Sequence, residues 1–487
     1  MFVKTYMIVG TMKYIDLFAG CGGLSLGLER AGFDLVLSIE KSEMASETFY
    51  HNFIKRLDSK EEWTKYTKLS LDEQFNNKLV SAEVKAVLDR PDLMKRLADD
   101  DIDLVVGGPP CQGFSLAGRR NPNDARNLLP WQFLEFVEIV NPKIVIIENV
   151  VGISRRFTKH DKDAPFDQLQ EALRGIGKGY VVQPVHVNAM HFGVPEHRPR
   201  LMILGLRNDV AKKLNIQSTN SLWYSNFIDN LDVNKIPDLA PVPLIRQTDV
   251  RTIRDAISDL SDQKNVLSRT GREFLKEMHD SKLWKLKPLV GKTIPNQNGS
   301  KHLQKTTDRF RLYQYLKLQK QNSTILNVPF LYSEKEAKET LRKLLKDSDF
   351  PAKSPDGTII AKNLDDLIKV IFELKTKKHS QRALDWDKPS PTVVTLPDDY
   401  VHPSKPRIFT VRELARFQSF PDAFEFKSKE TTGSERRRFE VPQYSQVGNA
   451  VAPLLAYSVG KRFKSILRAY ADAKSIRNKS SKISNLK

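Results

Sequence analysis

The stretch Gly107-Gly108-Pro109-Pro110-Cys111-Gln112-Gly113-Phe114-Ser115 places one of the chain's two cysteines between a stiff Pro-Pro and a flexible Gly-Phe-Ser. A thiolate exposed there would be a strong nucleophile. The run before it, Ile102 to Val106, is apolar and β-branched, which predicts a buried parallel strand. Cys111 then falls at the strand's carboxyl end, the edge where open α/β sheets bind ligands. The same stretch suits a small buried hydrophobe on a turn equally well, the common fate of a free thiol. The choice between the two rests on what else the chain brings to that edge.

Three other patterns carry groups that could act with a thiolate. Glu148-Asn149-Val150 closes the apolar run Ile144 to Ile147. A carboxyl at the rim of such a strand can hold its proton to higher pH and donate it, or it can be an ordinary hydrogen-bonded buried Glu. In Val194-Pro195-Glu196-His197-Arg198-Pro199-Arg200 the two arginines alternate, so an extended segment points both the same way. They could hold a carbonyl or a phosphate, or lie on the surface. Asp16-Leu17-Phe18-Ala19-Gly20-Cys21-Gly22-Gly23-Leu24 is a glycine-rich turn from strand to helix. Glycines let a ligand approach the backbone, and a helix start favours an anionic group. Glu40 ends the next predicted strand, at the place where an acid binds ribose hydroxyls. Together they predict an adenosine-containing cofactor. Ser25 stands where a dinucleotide fingerprint needs glycine, which weakens a nicotinamide reading.

The elements that must position these groups alternate. Strands are predicted at Tyr14 to Phe18, Leu35 to Ile39, Ile102 to Val106, Ile144 to Ile147 and Leu201 to Leu206. Helices are predicted at Leu24 to Ala31 and Trp131 to Val140, with a charged, helix-rich stretch from Phe53 to Leu97. This β-α-β-α order predicts a doubly wound α/β sheet. From Asn208 the texture turns lysine-rich and polar up to residue 380, as in a second domain or a large insertion. Turn-rich and helical pieces follow over 383 to 426, and a last helix is expected from near Val451.

The 487 residues allow two or three domains and a large core. No stretch approaches the roughly 20 apolar residues of a membrane span, and the N-terminus lacks the cleavage site of a signal peptide. Two distant cysteines exclude a disulfide framework, and no Cys/His spacing suggests a metal. A reducing, cytoplasmic setting is expected. A net charge of +19 favours a polyanionic partner. The basic residues cluster at Arg119, Arg120 and Arg126, between Lys285 and Arg311, and along the tail from Lys461, which could also be a frayed end.

Taken together, these patterns resemble the DNA cytosine-C5 methyltransferases of the bacterial restriction-modification type, at both ends of the chain and in the family's order. Phe18-Ala19-Gly20-x-Gly22-Gly23 and Glu40 resemble its cofactor site, Pro110-Cys111-Gln112 its nucleophile motif, Glu148-Asn149-Val150 its glutamate motif and Arg198-x-Arg200 its arginine pair. Arg412-Glu413-x-Ala415-Arg416-Phe417-Gln418-Ser419-Phe420-Pro421 and Gln446-Val447-Gly448-Asn449-Ala450-Val451 complete the series. Glu196 departs from it, since the family usually has Gln there.

The resemblance implies a class I S-adenosylmethionine-dependent methyltransferase fold, mostly parallel, with a smaller target-recognition domain inserted before the C-terminal motifs. The division it implies is 1–207 catalytic, 208–380 target recognition, 381–440 hinge and returning motifs, and 441–487 packing back on the catalytic part. It implies S-adenosyl-L-methionine held by Asp16, Phe18, Gly20, Gly22, Gly23, Leu24, Glu40, Pro110 and Asn449. Cys111 would attack C6 of a flipped-out cytosine, Glu148 would protonate N3, Arg200 would hold O2 and Arg198 would organise the site. Gln112, Ser115, Arg119 and Arg120 would touch DNA from a closing loop over 113–127, and Cys21 would pack near the cofactor. Arg309 and Arg311 would reach base edges. Asp89, Asp99 and Asp101 remain open as the acid for the adenine amino group. The expected partner is double-stranded DNA, with a cognate restriction endonuclease acting separately on the same site and the enzyme itself a monomer at the nucleoid. The rivals are an RNA (tRNA) cytosine methyltransferase, a catalytically silent DNA-binding protein of the same fold and, more distantly, a nicotinamide oxidoreductase.

Overall fold

The apolar runs lie side by side in one eight-stranded sheet. The computed structural model describes residues 11–110, 128–154, 164–261, 267–291, 293–433, 436 and 439–484, with side chains as far as 475. The strands are β1 (Met12–Leu17), β2 (Phe33–Ile39), β3 (Leu79–Val80), β4 (Leu104–Gly107), β5 (Ile144–Asn149), β6 (Tyr180–Asn188), β7 (Pro199–Arg207) and β8 (Trp223–Tyr224). Their order is β3-β2-β1-β4-β5-β7-β6-β8. β1 runs parallel to β2 and β4, and β4 to β5, so their carboxyl ends share one edge. β7 is antiparallel to both neighbours, β5 and β6. Its beginning, where the arginine pair sits, therefore meets the carboxyl ends of the others.

Alternation along each strand sorts the residues by face. Ile15, Leu17, Val105, Val145, Ile147, Leu201 and Ile203 join one apolar core. Tyr14, Leu104, Val106, Ile144, Ile146, Met202 and Leu204 join the other. Asp16, Glu148 and Arg200 fall on this second face by the same count. That face is covered by the Gly23–Ala31 helix and by the long C-terminal helix Pro453–Ser484. The two helices touch closely: a Cβ on Gly27 would lie 2.4 Å from Pro453 O, and one on Gly460 would lie 2.8 Å from Ala31 Cβ. The basic tail thus continues this packed helix. β6 is absent from the predicted strands because Pro184 and Gln183 interrupt its apolar pattern.

A separate core gathers Phe310, Tyr313, Leu326, Leu341, Leu367 and Ile371 with Ala383, Val401 and Ile408. It is built by the helices Gln304–Leu318, Glu334–Leu344 and Leu364–Leu374 with a two-stranded hairpin. Val210, Leu239, Ile253, Phe274 and Trp284 instead belong to the main core. The expected boundary at 208 therefore moves to about residue 304, and the expected boundary at 380 is crossed by chain that returns to close the second core. Lysine-rich composition marked exposure along this stretch, and exposure is common to the surfaces of both cores. No described helix is long and apolar enough to cross a membrane.

Candidate active site

The turn after β1 divides its glycines between two tasks. Phe18, Gly20 and Gly22 all take positive φ. A Cβ on Gly22 would strike the Phe53 ring at 2.3 Å, and one on Gly23 would meet Val451 O at 2.2 Å. At those two positions the missing Cβ makes room for the chain's own packing. Gly20 alone has nothing within 4 Å of an added Cβ. Its N–H donates to Glu40 Oε2 at 2.8 Å, while Ser42 N–H donates to Glu40 Oε1 at 2.6 Å. The half-buried Glu40 carboxyl is thereby fixed at the end of β2 with lone pairs left over. This arrangement fits the ribose of an adenosine: open space at Gly20 beside a rigid acceptor. Asn449, which ends the Gln443–Asn449 helix, is exposed. Asp16 is sealed below the loop, where Oδ2 accepts from Ser25 Oγ at 2.6 Å. Burial pushes its carboxyl up to about 7. Asp16 therefore braces the helix start from below the loop. Leu24 is buried, and Cys21 Sγ–H donates to Gln446 O at 3.7 Å, its thiol pushed up by burial.

At the neighbouring strand ends the chemistry of a proton donor takes shape. Asn149 Nδ2 donates to Pro109 O at 2.9 Å, which straps the loop after β4 to the end of β5. A Cβ on Gly108 would stand 3.1 Å from Glu148 Oε2, so that oxygen faces the loop leading into Cys111. Glu148 Oε1 lies 2.9 Å from Arg200 Nε, and both side chains are one-tenth exposed. Burial pushes Glu148 above the ordinary carboxylate range, with Arg200 and Arg198 pulling against it. Burial likewise lowers Arg200, to about 10. Pro110 is half-buried at the end of the described loop, and Cys111, Gln112, Ser115, Arg119 and Arg120 lie outside the described residues.

The two arginines part company. Arg200 meets Glu148, whereas Arg198 turns to backbone. Arg198 donates from Nη1 to Val393 O at 3.1 Å and from Nη2 to Gly448 O and Ala450 O at 2.7 and 2.8 Å. Its fourth contact is Glu196 Oε1 at 3.1 Å. Arg198 thus joins the start of β7 to the returning segment at 393 and to the Gln443–Asn449 helix end, and it does not touch the reacting edge itself. The sequence pattern signals neither this nor the strap made by Asn149.

The three aspartates held open for adenine are elsewhere. Asp89 pairs with Lys85 at 2.6 Å, Asp99 with Lys95 at 2.7 Å and Asp101 with Lys143 at 2.9 Å. Asp101 precedes β4 and so lies at the opposite end of the sheet. The residues that do reach the ligand edge beside Glu40 follow the two-residue β3. Val80 O accepts from Glu40 N at 3.1 Å, and Glu83 pairs with Lys41 at 2.6 Å. A strand of two residues gives no periodic signal.

Between the two cores runs a cleft of about 430 Å³. His197, Lys388 and Pro391 line the main-core side, and Lys317, Asn322 and Arg382 the other. Arg309 and Arg311 take no part. Arg309 Nε donates to Leu374 O at 2.8 Å, and Arg311 is held by Asp308 and Asp356, both at 2.9 Å.

Comparison with known proteins agrees with this geometry. The profile of the family described as C-5 cytosine-specific DNA methylase matches residues 12–465. The type II methyltransferase M.DdeI of Desulfomicrobium norvegicum is 30% identical over 455 residues, covering 93% of this chain and 88% of the relative. The type II methyltransferase M.AgeI of Thalassovita gelatinovora is 30% identical over 483 residues, covering 93% and 99%. A crystal structure of a prophage-encoded protein from E. coli superposes with a TM-score of 0.55 at 22% identity, covering 94% of this chain and 100% of that one. That likeness shows the fold alone.

Proposed function

The chain belongs to the C-5 cytosine-specific DNA methylases and is a DNA cytosine-5 methyltransferase, and from that premise we propose that it methylates C5 of a cytosine flipped out of double-stranded DNA, through a covalent bond from Cys111 to C6. The observation that carries this reading is the buried Glu148–Arg200 pair facing the Gly107–Pro110 loop. S-adenosylmethionine would be held by Gly20, Glu40 and Asn449, and would supply an electrophilic methyl group, leaving as S-adenosylhomocysteine. Every other part of the chemistry falls to the chain and the base.

Cytosine C5 is a weak nucleophile because its ring is electron-poor. The Cys111 thiolate adds its electron pair to C6, and the displaced ring electrons build up towards N3 and O2. Glu148, kept protonated by burial, gives its proton to N3. Arg200, already oriented by its contact with Glu148, holds O2. The enamine so formed makes C5 nucleophilic, and C5 takes the methyl while N3 returns its proton to Glu148. A base then removes the C5 proton, the ring double bond re-forms and the C6–S bond breaks to return the thiolate. The target atoms cannot be reached within the stack, so flipping costs a few kcal/mol first. The cationic cleft between the two cores is where we place the duplex, with the second core reading base edges. The type II relatives support expecting a separate endonuclease for the same site.

Bisulfite sequencing of plasmid DNA from cells expressing the protein tests this reading. Protected cytosines should recur in one short sequence context. Methyl incorporation into transfer RNA with none into duplex DNA would overturn it.

A further inference from the structure

Glu196 has no part in the chemistry above, yet it is the most enclosed carboxyl near it. Its backbone bridges to Ser390: His197 N–H donates to Ser390 O at 2.7 Å and Ser390 N–H to Pro195 O at 2.9 Å. Its side chain is fully buried. Oε1 accepts from Val393 N–H at 2.6 Å and from Arg198 Nη1 at 3.1 Å, while Oε2 has no hydrogen-bond partner.

Four charged groups thus share one water-poor region: Glu196 and Arg198 in contact, and Glu148 and Arg200 in contact. In such a medium a neighbouring charge is felt far more than in water. Burial pushes Glu196 upward as it does Glu148, while Arg198, the Val393 N–H and Arg200 pull against it; two donors on one oxygen, a peptide N–H and a guanidinium, favour its ionised form. Arg200 also acts on Glu196, as does the phenol of Tyr400, which donates to Thr392 O at 3.0 Å. The charges that act on Glu148 are Arg200 and Arg198. The described loop over Gly107–Pro110 brings no titratable side chain against it.

We infer that Glu196 is a positioning residue whose negative charge neutralises Arg198, so that Glu148 faces the field of one guanidinium instead of two and keeps its proton for the base. The inference rests on the reading of Glu148 as the proton donor. It also accounts for placing a carboxylate where an amide could make the same bond to Val393 N–H.

The sign follows from which form of Glu148 acts. The protonated form is active, so turnover falls as pH rises through its pKa. Without the negative charge at 196, the ionised form of Glu148 gains, and the alkaline limb moves to lower pH. Glu196→Gln keeps size and the acceptor for Val393 and should shift that limb downward by roughly half a unit or more. Glu196→Asp keeps the charge, and should lower turnover with the limb in place. The measurement is single-turnover rate against pH for full-length protein on methylatable duplex, with thermal unfolding recorded alongside. An unmoved limb in Glu196→Gln, an equal shift in both variants, or a Glu196→Gln that does not fold while Glu196→Asp does would each overturn the inference. Glu148→Gln separates the two claims: if its residual turnover keeps the wild-type limb, the donor reading itself fails, whatever Glu196 does.

Discussion

At the carboxyl edge of the main sheet, Glu148, Glu196, Arg198 and Arg200 are all buried, and they form two carboxyl–guanidinium pairs, Glu148–Arg200 and Glu196–Arg198. On the two walls of the cleft, Lys388 and Arg382 are exposed, and no ion pair to a described residue is seen for either. The first region matches charge internally before any ligand arrives, which suits chemistry: preorganised groups need not rearrange as charge develops. The second pairs Lys317 with Asp385 but leaves Lys388 and Arg382 without a carboxylate among the described residues, which suits capture of a polyanion and release of its counterions. Arg309 and Arg311 show that position in the second core is not enough. Both lie in it, but Arg311 already pairs with Asp308 and Asp356, and Arg309 gives its Nε–H to Leu374 O.

The largest expected effect separates the two regions outright. Cys111→Ala should lower turnover on the order of 10⁴-fold or more, as loss of a covalent nucleophile does. Its affinity for duplex DNA should stay near that of the wild type, since capture belongs to the cleft. Methyl-transfer assays paired with mobility-shift titrations check this, and turnover near wild type would break the division of labour.

A smaller effect lies wholly inside the matched region. Arg198→Met leaves Glu196 as a buried charge without its partner and frees the carbonyls of Val393, Gly448 and Ala450. Removing one member of a buried ion pair costs about 3–5 kcal/mol. Thermal or denaturant unfolding should show that loss. A stability change below about 1 kcal/mol would mean that water reaches Glu196 and that the edge is less enclosed than its exposures indicate.

How far each region could be read in advance follows from chain distance. The Pro-Pro-Cys stretch, Glu148 and the Gly20–Glu40 pair are set by strand ends, and strand ends are signalled by residues a few places away. The antiparallel course of β7, which brings Arg200 to Glu148, is decided by long-range pairing and has no local mark. The work of Arg198 depends on partners 195, 250 and 252 residues downstream. The second core was misplaced for a related reason. Residues 210 to 284 look as polar as those beyond 304, and only their few apolar side chains reveal which core they join. Likewise Gly22 and Gly23 look like ligand-facing glycines, but what lies against them is Phe53 and the C-terminal Val451.

The smallest expected effect tests the unmatched region. Lys388→Ala and Arg382→Ala each remove an exposed cation from the cleft wall without opening a buried pair. If duplex DNA lies there, each should weaken binding about equally for cognate and non-cognate sequences and should reduce the salt slope by about one counterion. Arg311→Ala should leave both the affinity and the slope unchanged, because its charge is already answered by Asp308 and Asp356. Binding titrations at several salt concentrations read the two outcomes directly. A slope that falls with Arg311→Ala and not with Lys388→Ala would move the duplex off the cleft and onto the outer face of the second core, and with it the assignment of which region captures DNA.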